Sequence, residues 1–204
     1  MALTEIPVPD TITQIVISPD AERLIDFANE RIEAFMLGEE TVSENFVPCD
    51  FHLLDQALTW IEQGHLLAGN RFCELGSGFG VAALLAAQRG LEAVGIEVET
   101  NLVEQACRLA ETLKLSAEFY TGSFVPREIS GILDLGSDIE HVETFEGDVY
   151  NEIGLEMDEF DLFFAFPWPG EHQFFEAVFQ AAAADNALLL TYRGRDGMHL
   201  LRKV

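Results

Sequence analysis

One short segment, Glu74-Leu75-Gly76-Ser77-Gly78-Phe79-Gly80, constrains this chain more than any other. Its first two residues end the short run Phe72 to Leu75, and its last residues open an Ala/Leu-rich run that ends at Gln88. The first run reads as a strand and the second as a helix stopped by Gly90. Glycines between them permit positive φ and let a ligand approach the backbone closely. The helix N-terminus then points unpaired N–H groups at whatever is bound. A tight turn that binds nothing is the plain alternative. Glu97 weighs against it. It closes the next strand, 19 residues beyond Gly78, where a carboxylate can accept both hydroxyls of a ribose.

The rest of the chain continues the alternation. Strands are expected at Ala93–Ile96, Ala117–Tyr120, Asp161–Phe166 and Ala187–Tyr192, with helices at Glu99–Leu113 and Glu171–Ala184. Continuous apolar strands between helices mean strands covered on both faces, hence an α/β fold with a doubly wound, mostly parallel sheet. The last residues are expected to add an edge strand. Upstream, Ile12–Ile17 reads as a short strand. Two helices follow, one opened by Ser18-Pro19 and closed at Gly38, the other running from Asp50 to Gly64. The division expected is an N-terminal helical extension over 1–45 and a ligand-binding domain over 46–204. Pro126 to Glu159 is too long for an ordinary crossover and is expected to hold one helix and an irregular acidic insertion.

Charge narrows the partners. The chain has 204 residues, 36 Asp+Glu against 11 Lys+Arg, and a formal net charge of −25. No Lys or Arg falls between Arg127 and Arg193, a stretch holding 15 acids. Nucleic-acid backbones repel such a surface unless a basic face is segregated from it, so no nucleic-acid partner is expected. No apolar run is long enough for a spanning helix, and no signal peptide is recognisable. Cys49, Cys73 and Cys107 lie 24 and 34 residues apart, neither a metal spacing nor a disulfide framework. The expectation is a reduced, cytoplasmic protein with no metal and no membrane association.

Dinucleotide-binding loops place a third glycine three residues after the second; Val81 stands there instead. An acid two residues before the first glycine also suits a cationic amino group better than a pyrophosphate. In these residues the chain resembles the class I S-adenosylmethionine-dependent methyltransferases. Their first motif is an acid, any residue, then glycines at alternate positions, as in Glu74 to Gly80. The resemblance covers about residues 45–192 and implies a Rossmann-like methyltransferase fold with S-adenosyl-L-methionine as cofactor. It implies that Glu74, Gly76, Ser77, Gly78 and Gly80 hold the methionine end and that Glu97 binds the ribose. For the adenine it leaves two places open. Ser123, with Phe124, directly follows the third strand; Asp148 offers the acid the family usually has. Chain order favours Ser123.

The fourth strand ends in Phe166-Pro167-Trp168-Pro169-Gly170-Glu171. In an open α/β sheet, ligands bind at the carboxyl ends of the strands, so this loop is expected to wall the acceptor. Many amino-nitrogen methyltransferases carry Asn or Asp, then two prolines and an aromatic here. Phe166 in the first place counts against nucleobase amino or glutamine acceptors and stands with the cofactor-binding candidates. Pro167-Trp168-Pro169 is also similar to the tRNA guanine-N7 methyltransferases, but their preceding Asp and following basic run are missing. The candidates for the chemistry are Trp168 as a flat wall and Glu171 as a polar anchor, facing a small, partly apolar or cationic acceptor. His172 could serve as a base, although one histidine at a helix start is more often incidental. The expected activity is methyl transfer to a small molecule. A non-catalytic S-adenosylmethionine-binding protein and a nicotinamide-dependent oxidoreductase are the rivals.

Overall fold

A computed structural model of the chain describes residues 2–38, 49–127, 129 and 149–204. Its centre is a seven-stranded sheet of order β1-β7-β6-β5-β2-β3-β4. The strands are β1 (Leu3–Ile6), β2 (Arg71–Leu75), β3 (Glu92–Glu97), β4 (Ala117–Thr121), β5 (Leu162–Ala165), β6 (Leu188–Tyr192) and β7 (Met198–Lys203). β2 to β6 run parallel, while β7 is antiparallel to both β6 and β1. The doubly wound, mostly parallel sheet is as the alternation requires.

Two apolar layers cover the sheet. On one face lie α1 (Pro19–Met36), α2 (Phe51–Gln63), α3 (Val81–Gln88) and α4 (Thr100–Leu113). On the other lie α5 (Val149–Ile153) and α6 (His172–Ala182). α3 is apolar all round, and Val81 to Ala86 are buried. A helix with no polar face must be enclosed, and α1 and α2 pack over it. Local chemistry starts both covering helices. Ser18 Oγ accepts from Ala21 N at 3.1 Å, and Asp50 Oδ1 accepts from Leu53 N at 3.0 Å. Asp55 of α2, 1% exposed, pairs with Arg89 just past α3. That pair locks the covering layer to the helix behind the glycine loop.

The N-terminus departs from expectation. Ile12–Ile17 is not a strand: Asp10–Gln14 forms a 3-10 turn with Ile12 N donating to Pro9 O at 3.0 Å. Only Ile12 of that turn is buried, so the apolar stretch supplies one anchoring side chain and no strand face. The strand lies earlier, at Leu3–Ile6, and pairs with β7. β7 is consequently an interior strand, not an edge. The boundary expected at 45/46 lies outside the described residues. So does Asp148 and most of the acidic insertion, whose described end holds α5.

Candidate cofactor and acceptor site

From β2 the chain winds outward through β3 and β4; from β5 it winds the opposite way through β6. β2 and β5 are neighbours, with Leu75 opposite Ala165. The loops that leave their carboxyl ends therefore diverge and leave a crevice. A cavity of about 1170 Å³ occupies it, lined by both loops.

The glycine loop is held by its neighbour strand. Gly76 N and Ser77 N both donate to Ile96 O at 2.9 Å. Gly76, Gly78 and Gly80 have φ of +73°, +52° and +70°, values that only glycine adopts without strain. β3 can come this close because Gly95 has no side chain: a Cβ there would lie 2.6 Å from the Phe119 ring and 2.9 Å from Ser77 Cβ.

Two buried carboxylates stand behind this loop. Glu74, 5% exposed, accepts from Ala83 N at 2.9 Å through Oε2. Burial above all, with the nearby Glu97, pushes its carboxyl up to about 8 against the opposing N–H bonds from α3. Glu97 accepts from Gly78 N at 2.9 Å through Oε2 and from Glu99 N at 3.0 Å through Oε1, with the Val98 N–H as a further donor. Burial raises it as well, against those bonds. Of its roughly four lone-pair sites, these bonds leave one for a ligand. Both carboxylates line the cavity.

The other expected residues separate into two groups. Gly76, Ser77, Gly78, Phe124 and Phe166 line the cavity, and Phe124 stacks on Phe175 at 4.8 Å. Gly80 and Ser123 do not line it. Gly80 caps α3, and a Cβ there would overlap the Phe119 ring, so its glycine serves packing. Ser123, 2% exposed, turns its Oγ to Val125 N at 3.2 Å. Its neighbours Gly122 and Phe124 face the cavity instead.

On the acceptor side, Trp168 and Glu171 both line the cavity. They are also bonded to each other: Trp168 N donates to Glu171 Oε2 at 3.3 Å, and Glu171 N donates to Trp168 O at 3.0 Å. Glu171 is 7% exposed, so its carboxylate shapes the loop as well as facing the cavity. Phe166 rests on Tyr192 at 5.0 Å. Glu176, Arg193 and Asp196 also line this side, with Arg193 Nη2 donating to Glu176 Oε1 at 2.6 Å. Sequence reasoning missed these three. Arg193 directly follows a strand, and the carboxyl-end rule could have found it. His172 lines the cavity too; burial first, then the Arg193 charge, holds its imidazole below the usual range. Among the described residues no group of side chains could hold a metal ion, and no helix is long and apolar enough to cross a membrane.

Comparison with known proteins agrees on the fold. No family model matches the chain. A methyltransferase from Geobacter sulfurreducens superposes with a TM-score of 0.52 at 16% identity, over 93% of this chain and 92% of that one. An RNA methyltransferase from Salinibacter ruber, crystallised with S-adenosyl-L-homocysteine, gives 0.51 at 17% identity, over 77% and 92%. In sequence, 63 residues are 38% identical to a 23S rRNA (uracil(747)-C(5))-methyltransferase from Pyrococcus horikoshii. That stretch is 31% of this chain and 15% of that protein. The chain therefore has the Rossmann-like fold of the S-adenosylmethionine-dependent methyltransferases.

Proposed function

We propose that the chain is an S-adenosylmethionine-dependent methyltransferase acting on a small-molecule acceptor. One observation carries the reading. Two buried carboxylates, Glu74 and Glu97, back a left-handed glycine loop on the wall of the crevice that Trp168 and Glu171 also line. Two acids held this close are poorly served by burial alone, and a cationic ligand would relieve both. The cofactor is a cation with a ribose diol, so the donor set fits it. Glu74 and the Ser77 hydroxyl would hold its amino-acid end, and Glu97 its ribose. When bound, it supplies an electrophilic methyl group on a sulfonium. The chain's own work is then to align an acceptor and exclude water, mainly a matter of proximity. Trp168 supplies a flat wall. Glu171 closes the loop and adds negative charge, which favours a partly apolar or cationic acceptor.

The test is thermal stability, because a ligand that binds only the native state raises the unfolding midpoint. S-Adenosylhomocysteine should raise it and NADH should not. The reverse pattern would make the protein a nicotinamide enzyme. Turnover with a methyl-labelled cofactor in metabolite extracts separates an enzyme from a binding protein.

RNA is the second reading, because the Pyrococcus and Salinibacter proteins are named for RNA. The charge of −25 opposes it. A gel shift with rRNA fragments near physiological salt decides: submicromolar, salt-sensitive binding would establish RNA as the partner.

A further inference from the structure

Among the described residues, a few buried side-chain atoms have no hydrogen-bond partner, and His172 Nε2, Thr191 Oγ1, Arg193 Nε and His199 Nδ1 are among them. These four converge on one place. Thr191 and His199 are directly opposed across β6 and β7, so their side chains share a sheet face. Leu189 and Leu201, two residues along each strand, belong to the core beneath α6. Alternation puts Thr191 and His199 on that same face. Arg193 reaches it too, since its guanidinium pairs with Glu176 of α6. His172, one turn before Glu176, feels the charges of both Arg193 and His199. His172 and Arg193 line the cavity, with Thr191 and His199 set behind them, so the cluster adjoins the acceptor side.

Orphaned buried polar groups are few in native proteins, and each asks for a partner. Four at one point ask for a shared one. Arg193 Nε can only donate, and the Thr191 hydroxyl and the His172 imidazole can donate as well. His199 turns Nε2 to the Glu5 carboxylate and in its neutral form accepts at Nδ1. The partner must therefore offer both an oxygen and a hydrogen. Its charge follows from the surroundings. Glu176 already neutralises Arg193, Asp196 lines the same wall, and Glu5 lies 3.4 Å from His199 Nε2. A further anion would meet these acids in a chain of net charge −25.

We propose that His172, Thr191, Arg193 and His199 form a subsite for an uncharged group of the methyl acceptor that both accepts and donates, a carboxamide or a hydroxyl. Only the word acceptor rests on the methyltransferase reading; the subsite stands on its own atoms. Acetamide and acetate are matched in shape and differ in charge, so they are the probes. The readout is the histidine C2–H resonances, assigned with His172→Gln and His199→Gln and followed with and without S-adenosylhomocysteine. Acetamide at high millimolar concentration should shift the His172 and His199 signals saturably, and acetate should not. Thr191→Val, nearly isosteric, should abolish the shifts while leaving S-adenosylhomocysteine affinity unchanged. Equal or larger shifts with acetate would make this an anion site and overturn the proposal. So would no saturable shift with acetamide, or shifts that survive Thr191→Val. If acetamide behaves as expected but S-adenosylhomocysteine does not bind, the methyltransferase reading fails and the subsite stands.

Discussion

Glu97 and Glu74 are both buried acids, yet they lead to different predictions. Glu97 offers its remaining lone pair to a ligand, and hydrogen bonds to a charged acceptor are worth about 1.5–3 kcal/mol. Glu97→Ala should therefore weaken S-adenosylhomocysteine by about ten- to a hundredfold, measured by calorimetry on folded protein. Unchanged affinity would remove its ribose role. Glu74 carries a pH dependence. Its carboxyl is raised from the ordinary 4.5 to about 8, chiefly by burial. The folded state thus holds a proton that the unfolded state releases. The resulting stability is complete below about pH 4.5 and is lost as pH rises through about 8. The unfolding midpoint of the ligand-free protein should fall across that window, and Glu74→Gln should flatten the fall. An identical profile in the variant would refute the assignment.

The turn from β2 to α3 works as an element because β3 and β4 press against it. Gly80 has φ of +70° and no room for a Cβ beside Phe119. Gly80→Ala should lower the unfolding midpoint, through left-handed strain of about 1 kcal/mol or more and displacement of the Phe119 ring. Gly76 is the contrast: its φ is +73°, but nothing lies within 4 Å of a Cβ. Gly76→Ala should be the milder of the two, and chemical denaturation of both variants checks the order. The alternate glycines were legible in sequence, but the reason for the third was not. It depends on a phenylalanine 39 residues away that only the sheet brings alongside. Ser123 shows the same limit. Its place after the third strand was readable, whereas its side-chain direction follows from a local bond to Val125 N.

At the scale of the whole molecule, charge of one sign predominates. Self-repulsion at −25 opposes compaction, and salt screens it over roughly 8–10 Å. The unfolding midpoint should therefore rise as sodium chloride is added; a fall would mean that ion pairs such as Arg71 with Glu92 and Glu159 outweigh the repulsion. Periodicity, glycine spacing and strand-end acids by themselves determined the parallel sheet, the covering helices and the two strand-end loops that carry the site, while the pairing of β2 with β5 that opens a crevice between those loops came only with the fold. These signals are local, each readable within a few turns of chain. Tertiary structure decided three other features. Leu3–Ile6 became a strand because β7, at the opposite end of the sequence, offers it an edge. Glu171 became a loop clasp because Trp168 N lies within its reach. Thr191, Arg193 and His199 came together beneath α6 because the β6–β7 register sets them on one face. No periodicity encodes such pairings, because each depends on a partner that folding alone brings within a hydrogen bond's length.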